Sequence, residues 1–488
     1  MSGFAAVIAH EWRLLRSAGV LSVAVLALAI ALLAAAWNGR ALLTARVTET
    51  VTLGAEMRDT VRALRKQAAT YRGDWAGAPA AVDPGAVGFS VLTETVVLPP
   101  APLAAIAVGQ SDLLANSYGV TARSAYSFLG LTTLDSPLRL AIGSFDLAFV
   151  IVWLLPLLVI ALSYDAVAAD RHNGVLALVA AQGVPLRKYV FGRLLARATI
   201  VLGVLTLLLP LALWVAGIEF SSSTALTHIT LALLVTLAYA VFWLAAALWL
   251  NSRPLSPEAN AGILAGLWLL LVVVMPTATN LVATTLFPAP SRVQLTTELR
   301  EATESADKQA AEQLDHYFFD HPDMATGTVD KTQFNLIQLQ TESTVGEAMR
   351  ARLAAFAAQA ARQQQLVDRL ALLSPGTGAH QALAALAGSD GVRQHDFRQQ
   401  TLRFHARWAG FFADRIGTRV MLTERDYDQL PKFHYQELTR IKWQQRVWAP
   451  LAAIVSMSLL VAWLAFFALR NVNRQPAELL GQADTSAR

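Results

Sequence analysis

The sequence predicts an α-helical polytopic membrane protein with six transmembrane helices and two large polar inserts. Six apolar runs, Val20–Trp37, Leu147–Tyr164, Leu194–Ala216, Ile229–Leu250, Ala261–Phe287 and Ala449–Leu469, each come close to the roughly 20 apolar residues an α-helix needs to cross a bilayer. Hydrophobic residues make up 55% of the 488 positions and charged residues only 15%, against about 25% charged in an ordinary soluble domain. The stretches Asn38–Asp146 and Pro288–Trp448 are polar and far too long to be turns between spans.

Each segment follows in order. Residues 1–17 set Phe4, Val7, Ile8, Trp12 and Leu15 against His10, Glu11, Arg13 and Arg16. That pattern predicts an amphipathic elbow helix lying in the membrane interface. Residues 18–37 are span one; no small-residue cleavage site marks its end, so it is read as a retained span and not as a signal peptide.

The first insert, 38–146, is predicted to be mixed α/β. A helix continues through Met57, Val61 and Leu64 to about Tyr71, and Phe89–Leu98 reads as a strand stopped by Pro99-Pro100. Span two is 147–164, the loop 165–193 follows, and spans three to five fill 194–287. The fifth is long and contains Met275-Pro276 with Thr277 and Asn280, a sequence that predicts either a kink or a broken helix.

The second insert, 288–448, is predicted to be mainly helical. One helix runs from Leu295 to Phe318, a second covers Gly346–Leu373, and a third runs from Ser389-Asp390 to Ile416 with Gly417 as its C-cap. Span six, 449–469, follows Trp443 and Trp448, which suit an interface; the tail is 470–488.

Lys and Arg give the orientation. Arg13, Arg16, Arg171, Arg187, Lys188, Arg193, Arg197, Arg253, Arg470 and Arg474 all fall on one side, whereas the short turn Gly217–His228 on the other carries none. The positive-inside rule then makes both termini cytoplasmic and both inserts extracytoplasmic. The net charge of +4 is explained by this asymmetry, and no nucleic-acid partner is expected. The absence of cysteine excludes disulfides and thiolate chemistry.

The loop 165–193 is the most specific feature. Asp170-Arg171 precede Gly174, an apolar stretch with Leu176 and Leu178, then Gln182-Gly183-Val184-Pro185 and a basic cluster. This predicts a short amphipathic helix, a turn and a Pro-initiated helix, with an apolar ridge that needs a membrane surface or a partner protein to pack on.

Other groups carry less. Asp315–Asp323 holds two histidines and three carboxylates, but Pro322 interrupts the helix that would gather them, so a helix end is expected and no metal site. His395 and His405 fall on different helix faces, and Ser111-Asp112 has no identifiable partner base. The spans hold no chain of buried charges and no paired catalytic carboxylates, which argues against an ion-coupled carrier or an intramembrane enzyme.

The loop pattern resembles the first cytoplasmic loop of ABC-2-type transporter permeases, and the segment with Glu11, Trp12 and Arg13 is similar to their elbow helix. Val97–Leu103, Val108–Leu113, Gly143–Phe149, Ala384–Asp390 and the region around Pro431-Lys432-Phe433 resemble a narrower branch with two periplasmic inserts. The resemblance implies that Asp170, Arg171, Gly174, Leu176, Leu178, Gln182, Gly183 and Pro185 contact a cytoplasmic ABC ATPase. It also implies a second permease subunit, as homodimer or heterodimer, in a bacterial inner membrane. No G-x-x-x-x-G-K-[ST] loop is present, so ATP and Mg belong to the partner, and this chain is expected to hold no cofactor and to catalyse nothing itself. The alternatives are a mechanotransmission or assembly unit that moves periplasmic partners without cargo, or a membrane-anchored ligand sensor.

Overall fold

A computed structural model describes residues 9–14, 19–75, 77–108, 115–125, 145–182, 185–288, 292–320, 331–438 and 440–472. Six helices in it are long and apolar enough to cross a membrane.

Span one belongs to α1, Val20–Thr70, which runs unbroken for 51 residues. At 1.5 Å per residue it is about 76 Å long, well over twice the thickness of a hydrocarbon core. Span two, α2, opens at Leu147–Phe149, passes a π-helical turn at Val150–Leu154 and closes at Leu155–Ser163. Two short helices follow, α3 (Ala168–His172) and α4 (Val175–Ala181). Spans three and four are α5 (Leu186–Val215) and α6 (Ser223–Asn251).

Span five, α7, runs Pro257–Trp268, then a π-helical turn at Leu269–Val274, then Met275–Leu286. It is therefore continuous, passing Met275-Pro276 through a π-helical turn and not through a break. Both π-helical turns end at a segment with proline in its second position, Pro156 and Pro276. Proline has no N–H to donate and its ring crowds the carbonyl four residues back; a wider turn relieves both.

Beyond span five come α8 (Arg292–Asp320), α9 (Lys331–Ala371), α10 (Pro375–Ala387), α11 (Gly391–Gly417), α12 (Glu424–Asp428) and α13 (Arg440–Val472), which contains span six. Helix α9 starts fifteen residues before the expected Gly346 (346 − 331), and Gly417 is its neighbour α11's last residue, with Thr418 as the cap. The expected strand at Phe89–Leu98 is shorter. Val87–Val91 coils into a π-helical turn, and the strand is confined to Glu94–Val97 (β1), paired antiparallel with Ser117–Val120 (β2) so that Glu94 faces Val120. Gly88 lies so close to the Phe412 ring that a Cβ would sit 2.7 Å from it, so packing against α11 overrides the local preference.

The two polar stretches share one hydrophobic core. Leu64 and Ala68 of α1, Val82, Phe89, Val96 and Val120 pack on Phe397, Phe404, Trp408 and Phe412, which line one face of α11. Polar contacts tie the same halves: Asn335 Nδ2 donates to Asp83 Oδ1 at 2.6 Å, and Ser124 N donates to Glu342 Oε2 at 2.7 Å.

Helix α10 joins this body to the spans. Ala379, Ala382, Leu383 and Leu386 sit in the same core as Tyr239, Val447, Leu451 and Ile454 of α6 and α13. Ser374 caps its start by accepting from Thr377 N at 3.3 Å, and Pro375 occupies the first turn.

Candidate functional site

The loop after span two and the elbow converge on a buried cluster of charges at one end of the bundle. Arg193 and Arg197 stand four residues apart on α5, hence on one helix face. Glu11 reaches them from the elbow segment. Arg193 Nε donates to its Oε2 and Arg197 Nε to its Oε1, both at 2.6 Å. Glu11 is 1% exposed, so both carboxylate oxygens are neutralised away from water, which is the condition under which a buried charge can be kept.

The loop carboxylates complete the cluster. Arg197 Nη1 donates to Asp165 Oδ1 at 2.7 Å and to the Leu162 carbonyl at 2.6 Å. Asp170 pairs with Arg193 and accepts from the Tyr189 hydroxyl at 2.8 Å. Elbow, end of span two, loop and start of span three are thus held by one connected network.

Asparagines stitch the remaining ends. Asn251 Oδ1 accepts from Val167 N at 3.0 Å and Ala168 N at 3.3 Å, satisfying donors at the start of α3. Its Nδ2 donates to Ser163 O at 3.0 Å and Ala247 O at 2.9 Å. Asn260 Nδ2 donates to Tyr164 O at 3.1 Å, and Arg171 Nη2 to Leu255 O at 2.8 Å, both crossing from span two's end to the start of span five.

The loop itself turns a different face outward. Gly174 has φ 75° and separates α3 from α4. No atom lies within 4 Å of where its Cβ would be; glycine is needed there for the left-handed backbone and not for space. On α4, Leu176 is buried against Val167, Tyr189, Val190 and Leu469. Leu178, 66% exposed, and Val175 point away from that core. Gln182 caps α4 and is exposed; Pro185 is the N-cap of α5, and its carbonyl accepts from Lys188 N at 2.9 Å.

The residues singled out in the sequence therefore separate into three groups. Asp170, Arg171, Leu176 and Glu11 point into the bundle. Gly174, Leu178, Gln182, Pro185, Trp12 and Arg13 are exposed, and Arg13 Nε donates to Ala9 O of its own helix. Gly183 lies outside the described residues, as do most of the elbow (1–8 and 15–17), Ser111-Asp112, Gly143-Ser144, His321-Pro322-Asp323 and the tail from 473. Sequence reasoning counted Arg193 and Arg197 only as charge and passed over Tyr189, Asn251 and Asn260. The four-residue spacing of the arginines was a usable signal; their partner, 182 residues away in sequence from Arg193, was not.

Chemically the cluster is closed. Its acids and bases are mutually paired, and among the described residues no group of three His, Asp or Glu could hold a metal ion.

Fold and site together define a multi-pass helical membrane protein whose loop and elbow are locked to its third span. Residues 292–436 match a family described as a domain of unknown function, DUF3526, which falls on the second insert and leaves the spans and the loop outside it. No curated protein and no solved structure matches the chain.

Proposed function

We propose that this chain is the permease subunit of an ABC-2-type transporter in a bacterial inner membrane, driven by ATP hydrolysed on a separate cytoplasmic subunit. The observation that carries the reading is the pairing of an outward Leu178 with an inward Asp170 on one short loop. A partner pressing on α4 displaces α3, and the Asp170–Arg193–Glu11 network passes that displacement to span three and the elbow together. The basic residues around this face orient it to the cytoplasm, and both inserts then lie outside. A second subunit completes the path for cargo.

A second reading has its own support. Helix α1 runs as one rod from the membrane into the core shared by the inserts. Motion of span one is delivered about 50 Å away without a joint, counting the 33 residues from Asn38 to Thr70 at 1.5 Å each. Mechanotransmission to periplasmic partners uses the same coupling loop without requiring cargo.

The test is Leu178→Asp. The side chain is exposed, so the variant should melt like the parent. Its co-purification with the ATPase, and the ATPase activity of the complex, should fall at least about tenfold, the equivalent of 1.4 kcal/mol of lost contact. Unchanged association and activity would falsify the coupling assignment.

A further inference from the structure

The ends of the spans set two levels from which depth can be measured. On the insert side, Asn38 Nδ2 donates to the Phe145 carbonyl at 2.8 Å and Arg40 Nη1 to the Val215 carbonyl at 3.5 Å, so spans one, two and three end together. On the loop side, Asn251 and Asn260 bond to the Ser163 and Tyr164 carbonyls, which aligns spans two, four and five. The seventeen residues of span two between Asp146 and Ser163 (163 − 146) separate the two levels by about 26 Å.

Helix α10 begins between these levels and not outside them. Ser374 Oγ donates to the Leu271 carbonyl at 2.6 Å. Leu271 is eleven residues beyond Asn260 on span five (271 − 260), about 16 Å from the loop side. A Cβ on Gly376 would stand 3.3 Å from Val272 Cγ2 and 3.4 Å from Tyr239 Oη. The Tyr239 hydroxyl donates to the Val152 carbonyl at 3.0 Å, six residues inside Asp146 (152 − 146) and so about 9 Å below the insert-side level. Spans two and five thus agree that α10 starts about 10 Å inside the bundle's insert-side end.

The contact at its start answers a defect in span five. In the π-helical turn there, Met275 N donates five residues back to the Leu270 carbonyl. The next residue, Pro276, has no N–H to offer Leu271. The Ser374 hydroxyl supplies the missing donor at a depth where no water can. The preceding turn strands no donor either, since Leu372, Leu373 and Ser374 N donate to the Arg369, Leu370 and Ala371 carbonyls at 3.3, 3.0 and 3.2 Å.

We propose that residues 359–387 form a re-entrant hairpin whose tip, Leu372–Ser374, enters the insert-side leaflet and lays Leu373 against lipid acyl chains. Helix α9 descends beside span five: Gln359 Nε2 donates to the Pro288 carbonyl at 3.0 Å and Gln363 to that of Phe287, and Ser374 then meets Leu271. Leu373 is 59% exposed. In water such a leucine is ordinary; at this depth its exposure means lipid. Arg369, exposed one turn nearer the surface, stands where a cation can reach headgroup phosphates. The inference holds whichever way the spans are oriented and whatever drives them.

The chain has no cysteine, so single cysteines carry the test. Leu373→Cys, Leu207→Cys and Val420→Cys are labelled with a nitrobenzoxadiazole fluorophore in the full chain in phosphatidylcholine nanodiscs. Leu207, exposed on span three eight residues before Val215 (215 − 207), is about 12 Å inside the same end and marks lipid. Val420, exposed in the insert body, marks water. At Leu373, chain-brominated phosphatidylcholine should quench to within about twofold of Leu207, and iodide at least about fivefold less than at Val420. Iodide quenching equal to that at Val420 would place the tip in water. Quenching by neither agent would place protein over Leu373, a second copy of the chain included. Either result overturns the proposal.

Discussion

Two charge clusters sit at opposite ends of the bundle and are built differently. At the elbow end, Glu11 lies between Arg193 and Arg197 with each oxygen bonded, and all three side chains are under a tenth exposed. At the insert end, Arg446 of α13 lies 2.7 Å from Asp390 Oδ2, at an angle too poor for a hydrogen bond, and 4.0 Å from Asp368. Nearby, Arg393 pairs with Glu437, whose side chain is 59% exposed. The centre of the first cluster is shut off from water, with Asp165 at its open edge, and each Glu11 oxygen has a single arginine; in the second, Glu437 is open to solvent. At the elbow end one carboxylate, Glu11, ties the segment 9–14 to span three through both its oxygens, whereas at the insert end Arg446 has two carboxylates within reach.

The largest effect should come from Glu11→Ala. It leaves two arginines buried four residues apart on one helix face, with only Asp165 and Asp170 to balance them. Removing one partner from a buried pair costs about 3–5 kcal/mol, so the melting temperature of the purified chain should drop sharply. A shift no larger than that of an exposed pair would mean the elbow end is as wet as the insert end, and the contrast would collapse.

Asp390→Ala tests the other cluster and should cost less. The carboxylate caps α11 by accepting from Arg393 N at 2.9 Å, a contact whose loss costs about 1 kcal/mol. Arg446 keeps Asp368 as a counter-charge, so no cation is stranded. A loss as large as that of Glu11→Ala would show that the second cluster has no slack.

The same contrast explains what could be read in the sequence. Six apolar helices and the Gly174 break rest on local patterns, and local patterns are visible in one chain. Helix α10 was not. Ser374-Pro375-Gly376 reads as the stop of α9, and it is also an N-cap and first turn; only the apolar side chains of Ala382 and Leu386 meeting α6 and α13 decide between the two. Phe89–Val91 carries β-branched and aromatic residues and still coils, because Phe412 lies against Gly88. Glu11 could be named, but its partners could not, since contacts across the chain leave no mark in local spacing. The two inserts, separate in sequence, share one core for the same reason.

The smallest effect is a pH dependence confined to the insert body. Burial pushes the Glu94 carboxyl from its ordinary value near 4.5 up to about 7, against the pull of Lys432, which acts to lower it. Between those values the folded chain holds one proton more than the unfolded chain. The stabilisation is therefore complete below about pH 4.5 and is lost as pH rises through about 7. Because Glu94 is partly exposed, the change should be roughly 1 kcal/mol or less. Hydrogen exchange, corrected for its intrinsic pH dependence, should show β1 and β2 opening more readily at pH 8 than at pH 5, while α3 and the first turns of α5 stay unchanged. Glu94→Gln, which cannot ionise, should flatten the profile. If protection around Arg193 falls in parallel with that of β1, the two ends of the molecule are coupled more tightly than their charge clusters imply.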